Sequence, residues 1–248
     1  MFKESNENVI EGKNPQKDIE FSNEKFYEIS EDFDRFTDNL FKENNIDPDN
    51  LGYTWSGTRE VSLLEVKGRY ILATYANMEA RDQLLSNKEP KILEVGPYMT
   101  GLIPAMYLAS KGFEPEVMDI FPVKRSFPNL SEIAEEKYGV KIHENDIGKL
   151  PESFKDKYDM VYIQSFPPLG SKFEEIIAEN VSSLLKEDGL FLVNDGGGID
   201  MFSTFPPHFT EVIGLQWRYL AESLNLNNYE DSRISVLRKN SGLERVIF

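Results

Sequence analysis

The sequence predicts an α/β fold: a mostly parallel sheet with an antiparallel C-terminal hairpin, helices on both faces, and a helical extension in front. Three observations predict it. From residue 91 onward, short apolar runs alternate with helix-like segments, the pattern of parallel strands joined by crossover connections. Before residue 91 the apolar residues fall at helical spacing instead. Near the C-terminus, the strand-like runs SRISVLRK and LERVIF are joined by Asn240-Ser241-Gly242, a turn suited to an antiparallel hairpin.

Composition bounds the rest. A chain of 248 residues that is 40% hydrophobic and 12% aromatic can bury one sizeable core. Its net charge of −16 repels phosphate backbones, and no Lys/Arg cluster offsets it, so nucleic acid is disfavoured as a partner. With no cysteine and two histidines, neither a thiolate nucleophile nor a histidine-rich metal centre is available, and no metal is expected. No apolar run reaches the ~18 residues of a membrane span. The opening MFKESNENVI lacks the apolar core of a signal peptide, so the expectation is a soluble cytoplasmic protein without a membrane partner. Nothing in the sequence specifies an oligomeric state.

Taken in order, residues 1–20 are polar and aperiodic and read as a flexible arm. Residues 21–90 read as a helical extension or lid. Phe26, Ile29, Phe33, Phe36 and Leu40 line one face of a first helix. NNIDPDNLGYTWSGT breaks the pattern with Pro48, Gly52 and Gly57, and a second helix follows through EVKGRYILATYANMEARDQLL. Residues 91–248 read as the ligand-binding domain. Its strands are predicted at 91–95, 116–119, 140–143, 160–164 and 190–194. Helices are predicted from Gly101, from Asn129 and from Ser171, the last with a Ser171-x-x-Glu174 capping box. Gly112, Gly139 and Gly189 stand where helices stop. A further helix is predicted near 209–224, before the terminal hairpin.

The segment KILEVGPYMTGLIPAMYLASKG, residues 91–112, runs a strand into a glycine turn and then a helix. That geometry aims backbone N–H groups and the positive end of a helix dipole at the carboxyl edge of the sheet. A nucleotide-type ligand there would set its ribose against an acid ending the next strand, and Asp119 follows Gly96 by about the twenty residues such sites use. A strand-end acid can equally serve local backbone N–H groups.

The full order of motifs resembles the class I S-adenosylmethionine-dependent methyltransferases. It comprises Glu94 in the first strand, the turn at Gly96, Asp119 ending the second strand, ENDIGKLP after the third, YDMVYIQS as the fourth, and LLKEDGLFLVN into the fifth. The resemblance spans roughly residues 91–248 and implies a Rossmann-like methyltransferase sheet with S-adenosyl-L-methionine as cofactor. It further implies that Gly96 and Gly101 let the methionine portion approach the backbone and that Asp119 binds the ribose hydroxyls. Asp146, with Ile147 beside it, would meet the adenine, and Gln164 and Ser165 would line the cofactor. One departure stands out. In Glu94-Val95-Gly96-Pro97-Tyr98-Met99-Thr100-Gly101 the family's middle glycine is Tyr98 and the last glycine comes one residue late, so Tyr98 faces or covers the cofactor. The glycine-proline turn is also similar to that of the nicotianamine synthases, which transfer the aminocarboxypropyl arm of the same cofactor. The Gly-x-Gly-x-x-Gly fingerprint of NAD sites is absent.

The chemistry implied is methyl transfer to a small-molecule substrate, governed by proximity and orientation. Aminocarboxypropyl or aminopropyl transfer, and a non-catalytic cofactor-binding protein, stay open as alternatives. Tyr53 and Trp55, on a glycine-punctuated loop, are candidate substrate contacts. Phe166, in QSFPPLG, is a third; it cannot accept hydrogen bonds as the polar residue of an amino-methylating Asn-Pro-Pro motif does, so Pro167-Pro168 read as a rigid turn shaping the pocket. Asp195 and His208, in the loop after the fifth strand, are the candidate general bases, and His143 reads as structural.

Overall fold

The computed structural model describes residues 22–47, 53–55, 59–61, 63–96, 102–120, 122–163, 171–194, 208–216 and 233–240. The arm expected at 1–20 and the last run expected at 243–248 lie outside them.

Helix α1 (Asn23–Asn44) starts where the Ser22 side chain accepts the Lys25 N–H, and it ends at Asn45 in the left-handed conformation. Its apolar stripe buries Phe26, Ile29, Phe33 and Leu40, each at 5% exposure or less and each contributing about 1.5–3 kcal/mol. A ribbon follows in place of the expected loop: β1 (Tyr53–Trp55) pairs antiparallel with β2 (Arg59–Val61). Helix α2 (Leu63–Leu84) comes next, uninterrupted by Gly68.

Seven strands then form one sheet. They are β3 (Lys91–Val95), β4 (Glu114–Asp119), β5 (Lys141–Glu144), β6 (Tyr158–Ile163), β7 (Leu185–Asn194), β8 (Phe209–Gln216) and β9 (Arg233–Lys239), in the spatial order β5-β4-β3-β6-β7-β9-β8. Between them lie α3 (Ile103–Ser110), α4 (Val123–Ser126), α5 (Pro128–Tyr138), a 3-10 turn (Glu152–Phe154) and α6 (Ser171–Leu184). The pairings of β3, β4, β5, β6 and β7 are parallel, whereas β9 is antiparallel to both β7 and β8. This is the doubly wound order 3-2-1-4-5-6 with one antiparallel strand slotted in before the last.

Two expectations are corrected here. The helix predicted from residue 209 is strand β8 over Phe209–Gln216, and the strand antiparallel to β9 on its outer side is β8, the run expected at 243–248 lying outside the described residues. In FTEVIGLQ, apolar residues at Phe209, Val212, Ile213 and Leu215 mimic a helical stripe. Pairing along the whole of β9 decides for strand.

Alternate residues of the sheet feed two cores. Ile92, Val117, Met160, Tyr162, Leu190 and Leu192 pack under α1, α2, α3 and α5. Leu93, Met118, Val161, Ile163, Phe191 and Val193 pack under α6 and the 3-10 turn. Residues of α2 from Tyr70 to Ala80 share the first core with the sheet, so the boundary expected at residue 90 is no break in packing.

Helix α1 crosses the C-terminal halves of three helices in turn. Lys25 pairs with Glu79 and Asp82 of α2, and Tyr107 at the end of α3 donates to Asp32 (2.8 Å). Lys137 at the end of α5 pairs with Glu43 (2.7 Å). These helices run back toward the starts of β3, β4 and β5, so α1 straps the half of the molecule away from the carboxyl edge. The lid expected within 21–90 is therefore not α1.

Candidate functional site at the carboxyl edge

Strand β3 occupies the middle of the parallel region, between β4 and β6, and its register sets Val95 beside Met118 and Ile163. At its end the Gly96 N–H donates to the Met118 carbonyl (2.8 Å), which holds the turn against the last residue of β4, Asp119. Gly96 has φ +75°, and among the described residues a Cβ there would meet nothing within 4 Å. Glycine is thus required by backbone conformation, while the space above it is open to a ligand.

The chain re-enters the described residues at Leu102, fully buried and in the left-handed conformation at φ 70°. For a side chain with a Cβ that conformation costs about 1–2 kcal/mol. The strain sits where the sequence delays its last glycine. Helix α3 then begins with Pro104 in its first turn and no side-chain cap, leaving backbone N–H groups at its N-terminus directed to the same edge.

Glu94 lies one residue inside β3, level with Val117 and Tyr162. It is 3% exposed, and its Oε1 has no hydrogen-bond partner among the described residues. Burial pushes its carboxyl up to about 8. Asp119 is 6% exposed and projects from the same face of the sheet, and Ile120 after it is 62% exposed. Sequence reasoning passed over Ile120. The signal available was a large apolar residue directly after the strand-end acid.

Asp146 and Ile147 follow β5. Asp146 Oδ1 accepts the Gly148 N–H (2.8 Å) and its carbonyl accepts the Lys149 N–H, so it fixes a turn; Ile147 is buried beneath it, its carbonyl held by Asn180 (2.8 Å). Strands β6 and β7 end level with β3 at Ile163 and Asn194. Gln164, Ser165, Phe166 and Asp195, which follow them directly, lie outside the described residues, as do Tyr98 and Gly101. Tyr53 and Trp55 belong to β1, whose partner β2 ends one residue short of the described part of α2. Because α2 runs back to the start of β3, its N-terminus lies on the carboxyl-edge side, and the ribbon precedes it in the chain.

His208 is a correction. Strand β8 runs parallel to β7, and Phe209 pairs with Lys239 near the start of β7. His208 therefore sits at the amino edge, its carbonyl accepting the Asn240 N–H (2.9 Å). At ~3.3 Å per residue the length of the strands separates it from Gly96 by roughly 20 Å, too far for a general base. His143 is structural, with Nε2 2.8 Å from Glu116.

No protein-family model and no curated protein matches the chain. Solved structures do resemble it. The N-methyltransferase NodS from Bradyrhizobium japonicum WM9 superposes with a TM-score of 0.54 at 14% identity, covering 71% of this chain and 97% of that one. The Burkholderia thailandensis 1,6-didemethyltoxoflavin-N1-methyltransferase, solved with S-adenosylhomocysteine, gives 0.54 at 10% identity over 77% and 99%. The [4+2]-cyclase SpnF gives 0.51 at 13% identity over 68% and 82%. The chain has the Rossmann-like fold of the class I S-adenosylmethionine-dependent methyltransferases. No helix among the described residues is long and apolar enough to cross a membrane.

Proposed function

We propose that the chain binds S-adenosyl-L-methionine and transfers its methyl group to a small-molecule substrate. The observation that carries this reading is the convergence, at the carboxyl edge of this particular fold, of the open Gly96 turn, the uncapped start of α3 and the adjacent carboxylate of Asp119. The residues fit the cofactor: Glu94 offers a buried, unpartnered oxygen on the side where the cofactor would bring an ammonium. When bound, the cofactor supplies an electrophilic methyl group on a positive sulfur.

Each residue has a part in holding it. The Gly96 turn and the N–H groups of α3 receive the amino-acid end, and Asp119 accepts hydrogen bonds from the ribose hydroxyls. Ile120 and Ile147 offer apolar surface to the adenine, with Asp146 near its amino group. Gln164 and Ser165, the two residues after β6, and Tyr98 are the further candidate cofactor contacts. Asp195, next to the end of β7, stays the candidate base; Tyr53 and Trp55 on the ribbon, with Phe166, close the substrate side and exclude water.

Calorimetric titration with S-adenosylmethionine and S-adenosylhomocysteine tests the reading, and we expect both to bind. No heat and no thermal shift with either would overturn it. Transfer of the aminocarboxypropyl arm is the second reading, favoured by Tyr98 and by the strained Leu102 that ends the shifted turn. Cofactor labelled separately in the methyl group and in the amino-acid arm distinguishes the two, since only the transferred portion appears in product.

A further inference from the structure

Glu94 is buried and its Oε1 has no hydrogen-bond partner among the described residues, and this makes it more than another residue of the site. Among the described residues, its face of the sheet is mostly apolar. Beside it in the same row lie Val117 and Tyr162, and Asp119 is the next residue up on β4 with the same orientation. Above it, α3 is apolar from Ile103 to Leu108, and its Tyr107 hydroxyl points away to Asp32 on α1. Helix α2 contributes buried Thr74, Asn77 and Glu79, the last paired with Lys25 of α1; α5 contributes Ser131, and α1 contributes Thr37. Among the described side chains, no lysine, arginine or histidine is buried. A carboxyl group in such a place stays protonated while the site is empty, and a positive charge brought beside it would change that.

We propose that Glu94 is a proton-exchanging counter-charge: binding of a ligand that carries an ammonium group ionises it, and one proton leaves for solvent as the ligand enters. The inference rests on the cofactor reading above and goes further, making affinity depend on pH and on the ligand's charge. The balance is simple. The Glu94 O–H bond breaks, the proton passes to buffer, and the carboxylate faces the ligand's ammonium. Burial supports the direction, because the carboxyl of the empty site is pushed up to about 8, so that at neutral pH there is a proton to release. The ligand class selected is an adenosyl amino acid rather than a neutral nucleoside.

The test is calorimetry at pH 7 in buffers of differing ionisation enthalpy, which counts protons released per ligand bound. We expect S-adenosylhomocysteine to release close to one proton from the parent protein and 5′-methylthioadenosine, which lacks the ammonium, to release none. Glu94→Gln should bind S-adenosylhomocysteine without that release. Between pH 6 and 7 the parent's affinity should rise up to about tenfold more than that of Glu94→Gln, the limit for one linked proton. The ligand's own amino group titrates alike in both proteins and drops out of the difference. Should Glu94→Gln fail to fold, the parent alone decides the matter, since its release must vanish by pH 9.5, where Glu94 is already ionised. Equal proton release from parent and Glu94→Gln at pH 7, proton uptake at pH 7, or release that persists at pH 9.5 overturns the inference while leaving the cofactor reading intact. No binding at all overturns both.

Discussion

Two glutamates on neighbouring strands, each 2–3% exposed, have opposite fates. Glu94 stands near the carboxyl edge with an unpartnered oxygen. Glu116, on β4 opposite Leu93 and on the other face, is surrounded. Lys157 Nζ and His143 Nε2 lie 2.8 Å from its carboxylate, the Tyr158 hydroxyl donates at 2.7 Å, and Lys91 Nζ is 2.9 Å away. Burial would raise its carboxyl, but these donors outweigh burial and hold it far below the usual carboxylate range. One acid joins four strands, since its donors come from β3, β5, the start of β6 and the residue just before it. The difference teaches how to sort buried acids in one sheet: an acid whose partners are all supplied by the chain is structural, and an acid left without one awaits a partner from outside.

The largest effect should come from the satisfied glutamate. Glu116→Ala leaves several donors facing an empty space, which costs about 3 kcal/mol, the low end for a broken buried pair because Lys91 and Lys157 can turn partly to water. Urea unfolding at pH 7 measures it, and cofactor affinity should barely move. The pH dependence follows from the depressed carboxyl: its stabilisation is present above the ordinary value near 4.5 and is lost as pH falls below it. The acid limb of the stability curve should therefore flatten in Glu116→Ala.

Glu94→Gln should do the reverse. An acid whose folded value is raised above 4.5 destabilises the fold as pH climbs from there to about 8, because ionisation is easier in the unfolded chain. The neutral amide removes that penalty, so the variant should be more stable than the parent at pH 8, by on the order of a few kcal/mol, and little different at pH 4. Denaturant melts at the two pH values check it. A variant less stable than the parent at pH 8 would mean that Glu94 is held by partners as Glu116 is, and the contrast between the two glutamates would collapse.

Asp119→Ala probes the carboxyl edge through the ligand. Loss of a charge-assisted acceptor for the ribose should weaken cofactor binding by about 1.5–3 kcal/mol, while folding is nearly unchanged. Titration calorimetry on the folded variant reads it directly. Parental affinity would return Asp119 to the role of a strand-end acid.

Much of this contrast was out of reach of sequence reading. The strands at 91–95 and 116–119 announce themselves through local apolar runs, and Gly139 ends its helix in the left-handed conformation as its position suggests. The Gly96 turn and Asp119 were readable because their spacing is a property of one strand-turn-helix-strand unit. The Glu116 cluster was not, since its members come together only through the pairing of β3, β4, β5 and β6. Strand β8 was misread for a related reason: its partner lies beyond the next stretch of chain, and nothing local distinguishes FTEVIGLQ from one turn of an amphipathic helix after another. The apolar face of α1 was evident, but its course across α2, α3 and α5 depends on pairs such as Asp32 with Tyr107 that no spacing reveals.

The smallest effect is expected at His208, and it separates the two ends of the sheet most cleanly. Both His208 and Asp195 qualify by residue type as bases for a reaction that needs a proton removed. Only Asp195 follows directly from a strand that ends at the carboxyl edge, whereas His208 precedes β8 at the amino edge, beside Asn240. His208→Ala should change stability by no more than about 0.5 kcal/mol, as surface substitutions do, and leave cofactor affinity within twofold of the parent. With cofactor labelled in the methyl group and a small-molecule extract as acceptor, label incorporation should match the parent for His208→Ala and fall for Asp195→Asn. A loss with His208→Ala, in a protein that still folds and binds cofactor, would require the start of β8 to reach the carboxyl edge, which the pairing of Phe209 with Lys239 forbids.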